Sequence, residues 1–210
     1  MTSSARRYGG KTADQRRDER RNALVETAVE IWQEQGWAAV TMRGVCARAN
    51  LTDRYFYESF ANRDDLLTTT WDRVRDETLG MVLGTVAEHA DRPPLEQLDA
   101  ALDVIVRHIE AEPARAQILY GDHSGSAVLE QRRRQSVQQA SDIMIDLARP
   151  FLRAGVDELA FRTAVLLGIG GFVEIMLAWR SGLLDVNADV LVDQLAAIGR
   201  SLSRDFLRPD

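Results

Sequence analysis

A run of four polar side chains, Thr52, Asp53, Arg54 and Tyr55, lies within the segment Thr41–Leu67. An arginine guanidinium presents several donors in a fixed fork and can make two parallel hydrogen bonds to one planar acceptor group. Threonine and tyrosine hydroxyls donate or accept single bonds. This set of groups suits non-covalent contact with the base edges and phosphates of nucleic acid.

Packing is the alternative role for the aromatic residues that follow. Tyr55, Phe56 and Tyr57 are consecutive, and at about 100° per residue three neighbours do not share one helix face. Phe56 is in line with Phe60 four residues later, so these two are predicted to be buried. Tyr55 and Tyr57 are then predicted to keep exposed edges.

Turn and capping residues divide the N-terminal part into four predicted helices. The first begins near Ala13, where Thr12 and Gln15 have capping-box spacing, and ends at Gly36. Asn50 is expected in the turn before the third helix, because Asn tolerates left-handed backbone angles. The predicted N-caps of the second, third and fourth helices are Thr41, Thr52 and Asn62.

The single cysteine, Cys46, excludes a disulfide within the chain. A redox sensor is one interpretation of this residue. It lies on an apolar stripe with no Cys or His beside it, so a small buried packing residue is favoured.

The downstream sequence predicts five further helices, over residues 95–112, 113–120, 127–147, 157–179 and 188–206. We therefore predict an all-α fold of about nine helices. The predicted domains are a flexible basic arm at residues 1–12, a three-helix DNA-binding domain at 13–67, and a helical dimerisation domain at 68–210, to which the family resemblance given below adds effector binding.

Charge is unevenly distributed along the chain. The net charge is −6, but residues 1–63 carry 11 Lys and Arg against 8 Asp and Glu, whereas the remainder carries 15 against 24. A weakly basic module on an acidic body is compatible with local phosphate contact.

The longest apolar run, Ala164–Val173, is about half the length that a bilayer span requires. We expect a cytoplasmic protein without a membrane partner.

The segment from about residue 20 to 70 resembles the helix-turn-helix domain of the tetracycline-repressor (TetR) family. EPARAQILYG at 112–121 and VLEQRRR at 128–134 are similar to the ligand domain of such regulators. The chain has Asn50, Arg54, Ser59 and Arg63 where other residues are common in the family, and Arg54 and Tyr55 suggest a different base preference. The matching positions are Arg43, Val45, Ala47, Ala49, Leu51, Thr52, Tyr57, Phe60, Asn62, Arg63, Asp64 and Leu66.

The resemblance implies a repressor that binds double-stranded DNA and is released by a small-molecule effector, with no cofactor. The second helix of a helix-turn-helix enters the major groove, so Thr52, Asp53, Arg54 and Tyr55 are predicted to meet base edges. The predicted backbone contacts are Thr41, Arg43, Tyr57 and Arg63, and Arg43 is also a candidate for a base contact.

The resemblance also implies a pocket among helices 4 to 8. Glu174 is the preferred candidate, because a carboxylate buried in the most apolar helix needs a partner. That partner is either a cationic group of the effector or an arginine such as Arg107 or Arg162. The candidate lining residues are His108, Tyr120, His123, Met144, Phe172, Glu174 and Met176.

The last two helices have features of a pairing surface. Gly168, Gly170 and Gly171 would let a neighbouring helix approach closely. A phosphate-cradling loop is the alternative, but no strand precedes the cluster and no Gly-Lys-Ser/Thr follows it. We predict a homodimer that binds a pseudo-palindrome, with Gly168, Gly171, Leu191, Leu195, Ile198 and Leu202 at a four-helix interface.

Two other functions remain open from the sequence. One is a DNA-binding regulator without a small-molecule effector. The other is an enzyme, with His108, Asp122 and His123 as an acid–base or metal site. Asp122 and His123 lie in a Ser/Gly loop without a further ligand at metal spacing, and no nucleophile motif occurs. We therefore predict neither catalysis nor a bound metal.

Overall fold

The computed structural model describes residues 12–208, and within them the chain forms nine α-helices. The predicted arm lies outside the described residues except for Thr12. Two 3₁₀ turns, Trp37–Ala39 and Arg149–Phe151, connect helices. The helices are α1 Ala13–Gln35, α2 Met42–Arg48, α3 Asp53–Ser59, α4 Arg63–Glu88, α5 Pro94–Ala111, α6 Pro113–Tyr120, α7 Ala127–Ala148, α8 Glu158–Arg180 and α9 Ala188–Ser203.

The chain divides into two compact units, and the division between Arg73 and Val74 falls within α4. This is later than the boundary predicted after residue 67. The all-α prediction is confirmed, and its helix order agrees with the structure.

Capping in the N-terminal unit follows the sequence prediction closely. The Thr12 hydroxyl accepts from Gln15 N at 3.1 Å, and Thr12 N donates to Gln15 Oε1 at 2.8 Å, which completes the capping box. Asn62 Oδ1 accepts from Asp65 N at 2.9 Å at the start of α4. The first helix ends at Gly36 as predicted, and this residue has a φ of 83° and a ψ of 165°, an extended conformation that essentially only glycine adopts.

The core of the N-terminal unit contains an apolar stripe of α1, with Leu24 and Trp32 almost completely buried. Phe56 and Phe60 are buried beneath α3, as predicted. Cys46 is buried too, and this burial raises the pKa of its thiol, so the packing interpretation of this residue is confirmed.

The core of the C-terminal unit lies among α5, α6, α8 and α9. Leu191 and Leu195 are 4% and 6% exposed in this core, so they are corrected from interface positions to packing positions of the same chain. Leu202 packs within the chain as well, since a Cβ atom added at Gly168 would lie 3.5 Å from its Cδ1 atom.

One described helix, α8, is long and apolar enough to cross a membrane by length and composition. The ten-residue apolar run Ala164–Val173 is only part of this helix, which has polar residues at few other positions. Most of α8 is not buried within the chain: Leu159, Leu166 and Leu167 are 75%, 50% and 64% exposed. In α9, Val190 and Ile198 are 44% and 46% exposed. These five side chains form what we call the α8/α9 apolar surface.

Candidate nucleic-acid interface

The turn between α2 and α3 fixes the direction of the recognition helix, α3. Asn50 adopts a φ of 53°, and among described residues it is the one non-glycine with positive φ. Leu51 N then donates to the Cys46 carbonyl at 2.9 Å and closes the end of α2. Phe56 is buried on one side of α3, whereas Asp53, Arg54 and Tyr57 are exposed on the other.

The predicted base-contacting residues lie at the exposed start of α3. Thr52 is the N-cap by position, as predicted, but its side chain makes no capping bond and remains exposed. Asp53 is exposed, and the Arg54 side chain is 84% exposed. Tyr55 is half-buried. Three of the four side chains are therefore accessible, and the fourth is partly covered.

Glu58 links Arg54 to α1. Its Oε1 accepts from Arg54 Nε at 3.0 Å, and its Oε2 lies 3.6 Å from Arg20 Nη2. The Cζ atom of Arg20 lies 4.3 Å from the centroid of the Tyr55 ring, a cation–π distance. Neither Arg20 nor Glu58 is among the predicted contact residues, although Glu58 follows Arg54 at ion-pair spacing on a helix.

The predicted backbone-contacting residues are more widely spread. Tyr57 is 62% exposed, and its ring meets Phe56 edge-on with the centroids 5.6 Å apart. Thr41 caps α2 by accepting from Gly44 N at 3.1 Å, which leaves its hydroxyl proton available to a phosphate. Arg43, in the first turn of α2, is exposed.

Arg63 has a structural role that the sequence analysis missed. Its Nε donates to the Val40 carbonyl at 2.5 Å, and its Nη2 donates to the carbonyls of Trp37 at 2.7 Å and Ala38 at 3.2 Å. The guanidinium therefore satisfies the end of the 3₁₀ turn before α2. Its predicted phosphate contact remains a prediction, with Nε and Nη2 already in use.

Arg21 is a further missed residue in this region. Its Nη1 donates to the Ser59 carbonyl at 2.5 Å, and its guanidinium carbon lies 4.4 Å from the Phe60 ring centroid. Helical spacing could have identified Arg21. It precedes Leu24 and Ala28 by three and seven residues, so it lies on the same inward-facing side of α1. It fastens the C-terminal end of α3 to α1.

The candidate effector residues come together only in part. Tyr120, Phe172 and Met176 belong to one apolar cluster, with the Tyr120 and Phe172 ring centroids 6.2 Å apart. Burial raises the pKa of the Tyr120 hydroxyl. His108 and Met144 are half-buried, and His123 is buried.

Glu174 is not the buried carboxylate that the sequence predicted. Its side chain is 68% exposed, and its Oε1 lies 3.5 Å from Arg133 Nη1. The two arginines proposed as partners pair elsewhere, Arg107 with Asp103 and Asp189, and Arg162 with Asp142. Glu174 follows Leu167 by seven residues, so it lies on the outward face of α8.

The loop considered for acid–base chemistry is a local turn. Asp122 Oδ1 accepts from both the backbone N and the hydroxyl of Ser124, at 2.8 and 2.6 Å, and these bonds lower the pKa of its carboxyl. His123 is buried beside it, and burial lowers the pKa of its imidazole. Within the described part of the chain, no group of three His, Cys, Asp or Glu side chains could hold a metal ion.

Comparison with known protein families supports the identification of a helix-turn-helix domain in the N-terminal unit. Residues 24–69 match the family model described as bacterial regulatory proteins, tetR family. No curated protein sequence matches the chain.

Solved structures with the same fold cover almost the whole chain. A transcriptional regulator from Rhodococcus sp. RHA1 has a TM-score of 0.72 at 16% identity, covering 90% of this chain and 99% of its own. NalD, the secondary repressor of the MexAB-OprM multidrug efflux pump in Pseudomonas aeruginosa, has a TM-score of 0.65 at 17% identity, covering 92% and 100%. The fatty acid degradation regulator FadR from Bacillus halodurans has a TM-score of 0.66 at 14% identity, covering 85% and 93%. At these identities the likeness concerns the fold, whereas the match over residues 24–69 concerns the helix-turn-helix itself. With both in agreement, residues 24–69 form a helix-turn-helix domain of the tetR family of bacterial regulatory proteins, and the whole chain shares the fold of TetR-like transcriptional regulators.

Proposed function

We propose that this protein is a cytoplasmic repressor that binds a pseudo-palindromic operator as a homodimer and is released by a small-molecule effector. The observation that carries the proposal is the exposed start of α3. Arg54 and Tyr57 are 84% and 62% exposed on a helix whose opposite side is anchored by Phe56 and Phe60. A rigidly held helix with an exposed arginine suits guanine recognition in the major groove.

Homodimerisation is supported by the α8/α9 apolar surface. A single helix-turn-helix contacts only a few base pairs, so useful specificity requires two copies. A monomer would leave five large aliphatic side chains of α8 and α9 exposed, and surfaces of this kind are usually covered by another protein or a membrane. A second copy of the same helices would cover them and would relate the two recognition helices by a twofold axis.

Effector control is supported by the adaptable core of the C-terminal unit. Tyr120, Phe172 and Met176 combine aromatic faces, a hydroxyl and a flexible thioether in one cluster. The family's usual mode and the repressor function of NalD favour repression. A regulator without an effector is the second candidate, since the complete burial of Met176 would also fit a permanently filled core.

The proposal is tested by selecting bound duplexes from a random pool and then challenging the complex with a metabolite library. We expect an inverted repeat with half-sites about one or two helical turns apart. We also expect at least one small molecule to lower the affinity for that duplex. Selection of no preferred sequence would refute the central part of the proposal. A preferred sequence that no metabolite releases would favour the second candidate.

A further inference from the structure

Glu58 occupies an unusual place for an acidic residue in a proposed DNA-binding surface. It lies one turn after Arg54 on α3, with 27% of its side chain exposed. Its two carboxylate oxygens face different arginines, Arg54 on the same helix and Arg20 on α1. A carboxylate near phosphates is repelled by them, so its presence at this position calls for a compensating role.

The bond to Arg54 uses the Nε atom and leaves the terminal nitrogens free. Among the described residues, Nη1 and Nη2 of Arg54 make no hydrogen bond. Guanine presents two acceptors, O6 and N7, which a guanidinium contacts with two of its nitrogens. An arginine held by Nε therefore keeps both terminal nitrogens as donors for a guanine. It also loses less rotamer freedom on binding than an unsupported side chain.

The second oxygen of Glu58 connects to another proposed base-contacting residue. Arg20 Nη2 lies 3.6 Å from Oε2, and the Arg20 guanidinium lies over the Tyr55 ring at 4.3 Å. One face of Tyr55 is thereby covered by α1. The orientations of Arg54 and Tyr55 thus both depend on one carboxylate.

We propose that Glu58 is a specificity-determining positioning residue, which orients Arg54 for a guanine and Tyr55 for its neighbour. This inference rests on the proposed DNA contact by α3. It predicts two effects of opposite sign when the carboxylate is removed. Sequence discrimination falls, because the Arg54 fork is no longer held. Binding to unrelated DNA rises, because a negative charge near the phosphates is lost.

The test compares Glu58→Ala, Glu58→Gln and wild type on three kinds of duplex. These are the duplex of highest affinity selected by the wild type, its variants with each G·C pair replaced in turn, and a random-sequence duplex. For Glu58→Ala we expect the preference for the Arg54-dependent guanine to fall by about three- to tenfold. We expect tighter binding of the random duplex. Glu58→Gln keeps an oxygen that accepts from Nε, so it restores part of the preference.

Glu30→Ala is the matched control. Glu30 lies on α1 with its side chain 58% exposed, and it pairs with Arg48 at 3.5 Å instead of with a proposed base-contacting residue. Glu30→Ala changes the net charge by the same amount as Glu58→Ala, and we expect it to leave the guanine preference unchanged.

Failure of this inference is distinguishable from failure of the proposed function. A wild type with no sequence preference would overturn both. A wild type with a clear guanine preference that Glu58→Ala retains would overturn only the role of Glu58. A Glu58→Ala protein that melts earlier and binds all three duplexes equally more weakly would assign Glu58 to folding, and the inference would again be overturned.

Discussion

Arg63 Nη2 donates a hydrogen bond to the carbonyl oxygen of Trp37 at 2.7 Å, which joins the first turn of α4 to the chain between α1 and α2. The same side chain reaches the carbonyls of Ala38 and Val40. The guanidinium carbon also lies 5.4 Å from the Trp37 ring centroid. This contact makes Arg63 a part of the framework that holds α2 and α3.

Two substitutions of Arg63 distinguish the contribution of its charge from the contribution of its hydrogen bonds. Arg63→Ala is expected to lower the free energy of unfolding by roughly 1–3 kcal/mol, because partly buried carbonyls lose charged donors. Arg63→Lys keeps the charge but lacks the planar set of guanidinium donors, so this variant is also expected to be less stable than wild type. If Arg63 also contacts phosphate, the Ala variant has a shallower salt dependence of DNA binding than the Lys variant. Urea unfolding and binding titrations at several salt concentrations measure the two effects. Unchanged stability in both variants would contradict the framework role.

Dimerisation through the α8/α9 apolar surface is tested by Leu167→Glu. Leu167 is 64% exposed, so a charge is tolerated in a monomer but not in a buried interface. We expect the variant to sediment as a monomer with a normal helical spectrum and to bind the operator more weakly. Leu147→Glu, at a 41% exposed position near the end of α7, is the control and should remain dimeric. A monomeric wild type at micromolar concentration would count against this surface as the interface.

His123 should make the C-terminal unit sensitive to acid. Its burial lowers the pKa of the imidazole in the folded chain below its ordinary value of 6.5, and this outweighs the opposite influence of Glu130 and Asp122. The unfolded chain therefore binds the proton more readily, and the free energy of unfolding decreases as the pH falls through about 6.5. Stability on the neutral side of that range is unaffected by this group.

Removing the titrating group tests this linkage. His123→Gln should be less stable than wild type at neutral pH but lose less stability between about pH 7 and pH 5. Thermal unfolding followed by circular dichroism across this range measures the difference. Equal acid-side slopes for the two proteins would mean that other groups determine the pH dependence.

Local features of the DNA-binding domain were predictable because they depend on short stretches of sequence. The N-cap at Asn62, the left-handed residue Asn50 and the buried pair Phe56 and Phe60 follow from neighbours within about one or two turns. The contacts of Arg63 with Trp37 and Ala38 did not follow, because they join residues far apart in the chain.

Periodicity also fails to identify what covers an apolar stripe. Leu191 and Leu195 lie four residues apart and share an apolar face of α9, but α5 and α8 of the same chain cover that face, where the sequence predicts a second copy. Glu174 shows the converse problem. Its apolar neighbours in sequence suggested burial, whereas its own position around α8 faces outward beside Arg133. Whether a residue of a helix is buried depends on which face of that helix other elements cover, and tertiary packing determines that face.

Contact of α3 with DNA bases through Arg54 is tested by comparing Arg54→Ala with Arg48→Ala. Both lose one arginine from the same domain, but Arg48 is paired with Glu34 on α1 at 2.6 Å. Affinities are measured for the duplex selected by the wild type and for variants of each G·C pair. We predict that Arg54→Ala loses about 1–3 kcal/mol of discrimination at one guanine in each half-site, whereas Arg48→Ala keeps it. Full discrimination by Arg54→Ala at every position would show that Arg54 makes no specific base contact.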